Sequence, residues 1–182
     1  MKKCYVFICF FAFFVVQNTF ANVSNEVDDY VMNKVDVILQ NITPEQELYI
    51  QKHVHLFNQA AYIYNYLVAR EYIIKWCATY HSVDNLRTAY DIYLGPVKDK
   101  TESVLTDFIG VSGFAELNKI FTKDEKVQQF YNQQQEAEYI SSKLIANLKN
   151  KEQYCQVWDS EAKDVMKTGY DNLKVDFPDF FN

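Results

Sequence analysis

Residues 43–80 read TPEQELYIQKHVHLFNQAAYIYNYLVAREYIIKWCATY, and the fold class turns on them. Thr43-Pro44-Glu45-Gln46 is a helix start. It has a hydroxyl cap, a proline at the first helical position, where a missing N–H costs little, and a glutamine placed to return a hydrogen bond to the cap. Downstream, Tyr49, Leu56, Ala60, Ile63, Leu67, Ile74, Cys77 and Ala78 recur at helical spacing and form a wide apolar face. Residues 62–68 and 72–76 are rich in aromatic and β-branched side chains and so compete as strands. No hairpin turn flanks either one, and both continue the helical period. One helix to about Tyr80 is therefore expected, roughly 54 Å long and bent along the way.

Composition points the same way. Four glycines and three prolines in 182 residues leave too few turn formers for a multi-stranded sheet with hairpins. The expected fold class is all-α, a helical bundle of four to six helices.

Upstream, a first helix starts near Ser24 and carries Val27, Val31, Val35, Ile38 and Leu39 as its apolar stripe. Beyond Tyr80, His81-Ser82 interrupts the pattern, and Ser82 is placed to cap a helix with Val83, Leu86, Ala89, Tyr90, Tyr93 and Leu94 on one face. Gly95-Pro96 stops or kinks it. The next segment, with Val97, Val104, Leu105, Phe108 and Ile109, ends at Gly110, and Val111-Ser112-Gly113 reads as a joint. A short helix follows near Phe114 to Phe121. Thr122-Lys123-Asp124-Glu125 then reads as a second capping box, opening a helix with Val127, Phe130, Tyr131, Ala137, Ile140, Leu144, Ile145 and Leu148 inward. Cys155, Trp158, Ala162 and Val165 line a last helix that stops at Gly169, and Leu173, Val175, Phe177, Phe180 and Phe181 form a docking tail.

The amino-terminal residues bear on compartment. Lys2 and Lys3 precede an apolar run from Cys4 to Val16, followed by Gln17, Asn18, Thr19, Phe20 and Ala21. This is the layout of a secretory signal, with small side chains at Thr19 and Ala21 for the peptidase. Residues 1–21 are expected to be removed after Ala21, leaving 22–182 as one helical domain, secreted or periplasmic. The run has thirteen residues, short of the roughly 20 that span a bilayer core, so no stable membrane insertion is expected after cleavage. Cys9 lies within the apolar run and lacks the small residues that precede a lipidated cysteine. The triplets at Asn22 and Asn41 match the glycosylation pattern and serve equally as helix-end residues.

Loss of the leader removes two lysines and no acid, so 16 basic residues face 24 acidic ones. Only two arginines, Arg70 and Arg87, occur, and the lysines are scattered among acids. Nucleic acid is not an expected partner, since counterion release needs clustered basic residues. Of four cysteines, Cys77 and Cys155 alone lie beyond the leader. In an oxidising compartment they pair without ambiguity, closing a loop of roughly 80 residues.

Candidate chemistry is sparse. His53 and His55 are two apart on a helix and point in opposed directions, so they do not share a metal, and His81 stands alone at a helix end. No cofactor motif occurs, no catalytic residue is assigned, and no metal or other cofactor is expected. Asp28-Asp29, Glu45 with Glu47, and Glu136 with Glu138 read as solvated faces. Glu71 sits at the margin of an apolar stripe and is expected to pair with Lys75 one turn on, or, failing that, to serve as a buried general acid.

The aromatic load is unusual, with fourteen tyrosines and fourteen phenylalanines. Tyr80 and the four tyrosines Tyr62, Tyr64, Tyr66 and Tyr72 crowd one helix, and of these four, those two apart cannot all face one core. With Glu71 they form the expected interaction surface, since exposed Tyr offers large contact area at low entropic cost. The functional expectation is a protein-binding module, inhibitor-like or immunity-like. The alternative is a small-ligand carrier or enzyme with a cleft between the second and fourth helices. Oligomeric state is not readable from the residues.

Overall fold

The computed structural model describes residues 21–182, with side chains from Glu26 onward. The expected leader's residues 1–20, Cys4 and Cys9 among them, and the side chains beside the expected cleavage point, Asn22 included, lie outside the described residues.

All regular structure among the described residues is helical: α1 Ala21–Gln40, α2 Pro44–Lys52, α3 Val54–Cys77, α4 Asp84–Tyr93, α5 Gly95–Lys123, α6 Glu125–Ala146, α7 Lys151–Ser160, α8 Ala162–Asp176 and α9 Pro178–Phe181. The protein is all-α, and Cys77 and Cys155 are joined in a disulfide with their Cα atoms 5.3 Å apart. The helices outnumber the expected four to six because two long ones are broken and the tail adds the short α9. The long helix of residues 43–80 is interrupted at His53, which leaves helical geometry (φ −123°, ψ 32°) while its N–H is shared between the carbonyls of Tyr49 and Ile50. The last helix is interrupted at Glu161 (φ −98°, ψ 6°).

Two compact units make up the chain. The first comprises the described residues up to Tyr64 with Thr101–Phe130, and the second comprises Asn65–Lys100 with Tyr131–Asn182.

In the first unit the start of α2 is as the sequence dictates. Thr43 caps it: its hydroxyl accepts from the Gln46 N–H (3.2 Å), and the Gln46 side chain accepts from the Thr43 N–H (2.8 Å). Val27, Val31, Val35 and Ile38 of α1 are buried in the expected stripe, and Phe57 meets Phe108 edge-on, centroids 5.1 Å apart. Gly110 has φ 76° and ψ 166°, a conformation closed to L side chains, and breaks α5 there. Residues 111–113, read as a joint, are helical, and the break lies one residue earlier. The start of α6 is also displaced from its expected box. Asp124, not Thr122, accepts the N–H groups of Lys126 (3.1 Å) and Val127 (3.4 Å), while the Thr122 hydroxyl donates to the Asn118 carbonyl.

In the second unit, Leu86, Leu94, Cys77, Cys155 and Met166 are fully buried, and α4 packs chiefly on α8. Ser82 does not cap α4. The N-cap position falls on Val83, which has no side chain able to do so, and the carboxylate of Asp159 in α7 takes over: Oδ1 accepts the Leu86 N–H (2.9 Å) and Oδ2 the Asn85 side-chain amide (2.8 Å). Nor does the last helix stop at Gly169, which is buried in the middle of α8. The tail docks through Leu173 and Phe180, both buried, while Val175 points to water.

Candidate functional site

The five residues expected to form a surface occupy different environments. Tyr64 is 3% exposed, its ring edge-on to Phe114 and Phe121, its hydroxyl donating to Asn118 Oδ1 (2.9 Å). Tyr72 is 6% exposed and stacks on Tyr131 with centroids 4.3 Å apart. Both therefore belong to cores, contrary to expectation. A buried tyrosine is tolerated where its hydroxyl finds a partner, and an asparagine supplies one for Tyr64, as Asn65 does for Tyr131 (2.7 Å). Tyr62 and Tyr66 are half-buried, and the Arg70 guanidinium lies 4.8 Å from the Tyr66 ring centroid.

Glu71 is held within the second unit. One carboxylate oxygen accepts from Lys98 Nζ (2.6 Å) and from the Tyr90 hydroxyl (3.0 Å). The expected i,i+4 partner, Lys75, lies instead 5.3 Å from the Tyr72 ring centroid. A carboxylate already engaged by an ammonium and a hydroxyl in this way suits a structural strut better than a general acid.

A second cluster, absent from the sequence reading, surrounds the disulfide. Trp76 precedes Cys77 and Tyr154 precedes Cys155, so the bond brings the two rings together edge-on at 5.9 Å. Tyr139 of α6 joins them, 5.7 Å from Tyr154 and 6.4 Å from Trp76, and Tyr80 lies 4.9 Å from Trp76. Burial pushes the Tyr154 phenol well above the ordinary tyrosine range, so it stays protonated. The signal for this cluster was present, since an aromatic residue stands directly before each of the two cysteines. Of the acids read as solvated, Glu138 is exposed as a residue, yet burial of its carboxyl pushes it above its ordinary value, and Glu136 bonds Lys151.

The first unit carries a groove of about 720 Å³ bordered by Tyr30, Lys34, Ile120, Lys123, Asp124 and Lys126. Tyr30 lies between two ammonium groups, Lys34 at 5.0 Å and Lys126 at 4.8 Å from its centroid, and donates to Asp124 Oδ2 (2.9 Å). Burial pushes the Asp124 carboxyl up. The hydrogen bonds from Tyr30, Lys34 and the Val127 N–H outweigh it and hold the carboxyl below its ordinary value. Its charges are thus largely mutually satisfied.

The last two turns of α6 show the reverse of what the sequence predicts. Ile140, Leu144 and Ile145, expected inward, are 54%, 81% and 84% exposed. The buried face of this part of α6 runs through Tyr131, Gln135 and Tyr139, and Ile140 lies about 100° and Leu144 about 140° round from Tyr139. A polar residue at the core position thus hid the true stripe.

No group of three His, Cys, Asp or Glu side chains is arranged to hold a metal among the described residues, and none of their helices is long and apolar enough to cross a membrane. Comparison with protein-family models, with curated proteins and with solved structures gives no match.

Proposed function

We propose that the protein works outside the cytoplasm as a binding module for another protein, in the manner of an inhibitor or immunity protein, and that the ridge Ile140, Leu144 and Ile145 is its contact surface. The observation that carries this reading is the exposure of three large aliphatic side chains within the last two turns of α6, with Ile140 and Leu144 one turn apart and Ile145 next in the chain. Large aliphatic side chains exposed this close together are disfavoured on a monomer unless something covers them, and they mark interaction sites. The pairing of Cys77 with Cys155 suits an oxidising compartment and supports export. The rival reading, a carrier or enzyme built around Glu71, finds less support, because Lys98 and Tyr90 already engage that carboxylate.

A photo-crosslinking residue placed at Leu144 tests it, with Thr88, exposed on α4 of the same unit, as control. In the producing cells, position 144 is expected to give one discrete adduct in the extracytoplasmic fraction, lost when Ile140 and Ile145 are both changed to Ser. Equal labelling from positions 144 and 88, or none from 144, would count against the ridge.

A further inference from the structure

Lys151 opens α7, where the helix dipole disfavours a cation, and yet its ammonium is turned into the aromatic cluster beside the disulfide. Nζ lies 5.1 Å from the Tyr80 ring centroid, 5.5 Å from that of Trp76 and 5.9 Å from that of Tyr139. It donates to the Tyr80 hydroxyl (3.3 Å) and to Glu136 Oε1. Three rings within about 6 Å of one cation, closed by a carboxylate, is the arrangement that proteins use to recognise ammonium ligands. Trp76 and Tyr139 are buried and fixed by the packing around the disulfide, so two of the three cage walls are preformed, while Tyr80 is 40% exposed. The occupant is not fixed in the same way. Lys151 keeps 31% of its side chain exposed and reaches the cage on a flexible four-carbon stem.

We infer that Trp76, Tyr80, Tyr139 and Glu136 form a binding site for a primary alkylammonium group, which Lys151 fills from within the chain until an external amine displaces it. The polar groups select the ligand class. Glu136 and the Tyr80 hydroxyl both accept from Nζ, and a primary ammonium reproduces those bonds while a quaternary one, having no N–H, leaves them unmade. The Lys151 ammonium is held above its ordinary pKa, chiefly by the bond to Glu136, so the cage favours a charged guest. This site borders the α6 ridge, since Ile140 stands one turn beyond Glu136, but it rests on different side chains, and either can stand without the other.

The test follows the Trp76 indole N–H resonance by NMR in the wild type, Lys151→Ala and Lys151→Met. The titrants are n-butylammonium for a free amine, an acetyl-Gly-Lys-Gly-amide peptide for a lysine on a partner chain, and tetramethylammonium. Both variants are expected to show a saturable shift with a primary amine, tighter than with tetramethylammonium. The wild type should bind about tenfold more weakly, because the cage is open only in the fraction of molecules with Lys151 out. Stronger binding of the peptide than of n-butylammonium assigns a partner's lysine, and the reverse assigns a free amine. Circular dichroism and an intact Cys77–Cys155 bond report folding, and Lys151→Met keeps most of the apolar stem should Lys151→Ala destabilise the unit. No saturable shift in a folded variant, or wild-type affinity equal to that of the variants, would overturn the inference.

Discussion

The hydroxyl oxygen of Tyr66 lies 2.1 Å from the point a Cβ would occupy on Gly169, and the ring carbon Cζ lies 3.3 Å from it. The glycine in the middle of α8 is therefore there for close approach, not for a turn. Gly169→Ala should improve helix propensity by up to about 1 kcal/mol but lose about 1–3 kcal/mol to overpacking, for a net destabilisation. The Tyr66 hydroxyl makes no hydrogen bond to the protein, so Tyr66→Phe alone should be close to neutral. Joined to Gly169→Ala, it should recover about 1 kcal/mol of the loss in a double-mutant cycle read by urea unfolding. Strict additivity would mean that the two residues do not meet.

Asp159 holds the start of α4 from another helix, with both oxygens engaged. Asp159→Ala strands the buried Leu86 N–H and is expected to cost about 2–3 kcal/mol. Asp159→Asn keeps one acceptor and should cost about half as much. Ser82→Ala, the cap that the sequence suggests, should change stability by no more than about 0.5 kcal/mol. Thermal unfolding of the three variants checks the order.

Asp124 gives the first unit an acid dependence. Its folded pKa lies below its ordinary value of 3.8, so its contribution is present at neutral pH. That contribution is lost as the pH falls below about 4 and through the depressed value. Asparagine at this position still caps α6 but carries no charge for Lys34. Wild type should therefore melt higher than Asp124→Asn at pH 7, with the gap closing in acid. A gap independent of pH between 7 and 2 would contradict the assignment.

Local signals were legible in the sequence, and signals that depend on distant residues were not. The Thr43 cap, the α1 stripe and the all-α class rest on neighbours within a turn or two, and all are present. The pairing of Cys77 with Cys155 followed because only two cysteines lie beyond the expected leader. The break at His53 has no proline or glycine to announce it. It sits where the Tyr49 ring packs on both His53 (4.6 Å) and Phe108 (5.0 Å), the latter from α5. Gly169 looked like a helix end because nothing nearby reveals Tyr66. Ser82 looked like a cap because Asp159 is more than seventy positions away. Tyr64 and Tyr72 looked exposed because the Asn118 amide and the Tyr131 ring that meet them come from other helices. The ridge on α6 was read inward because Gln135 interrupts its true core face.

Export with oxidation of the two remaining thiols underlies the whole functional proposal, and mass spectrometry of native material with non-reducing peptide mapping tests it most directly. The account predicts an amino terminus at Asn22 and a single linked peptide pair containing Cys77 and Cys155. Reduction of that bond, which closes a loop spanning 78 positions, should lower stability by about 4 kcal/mol. A retained leader, or a mass showing both sulfurs as free thiols, would contradict it.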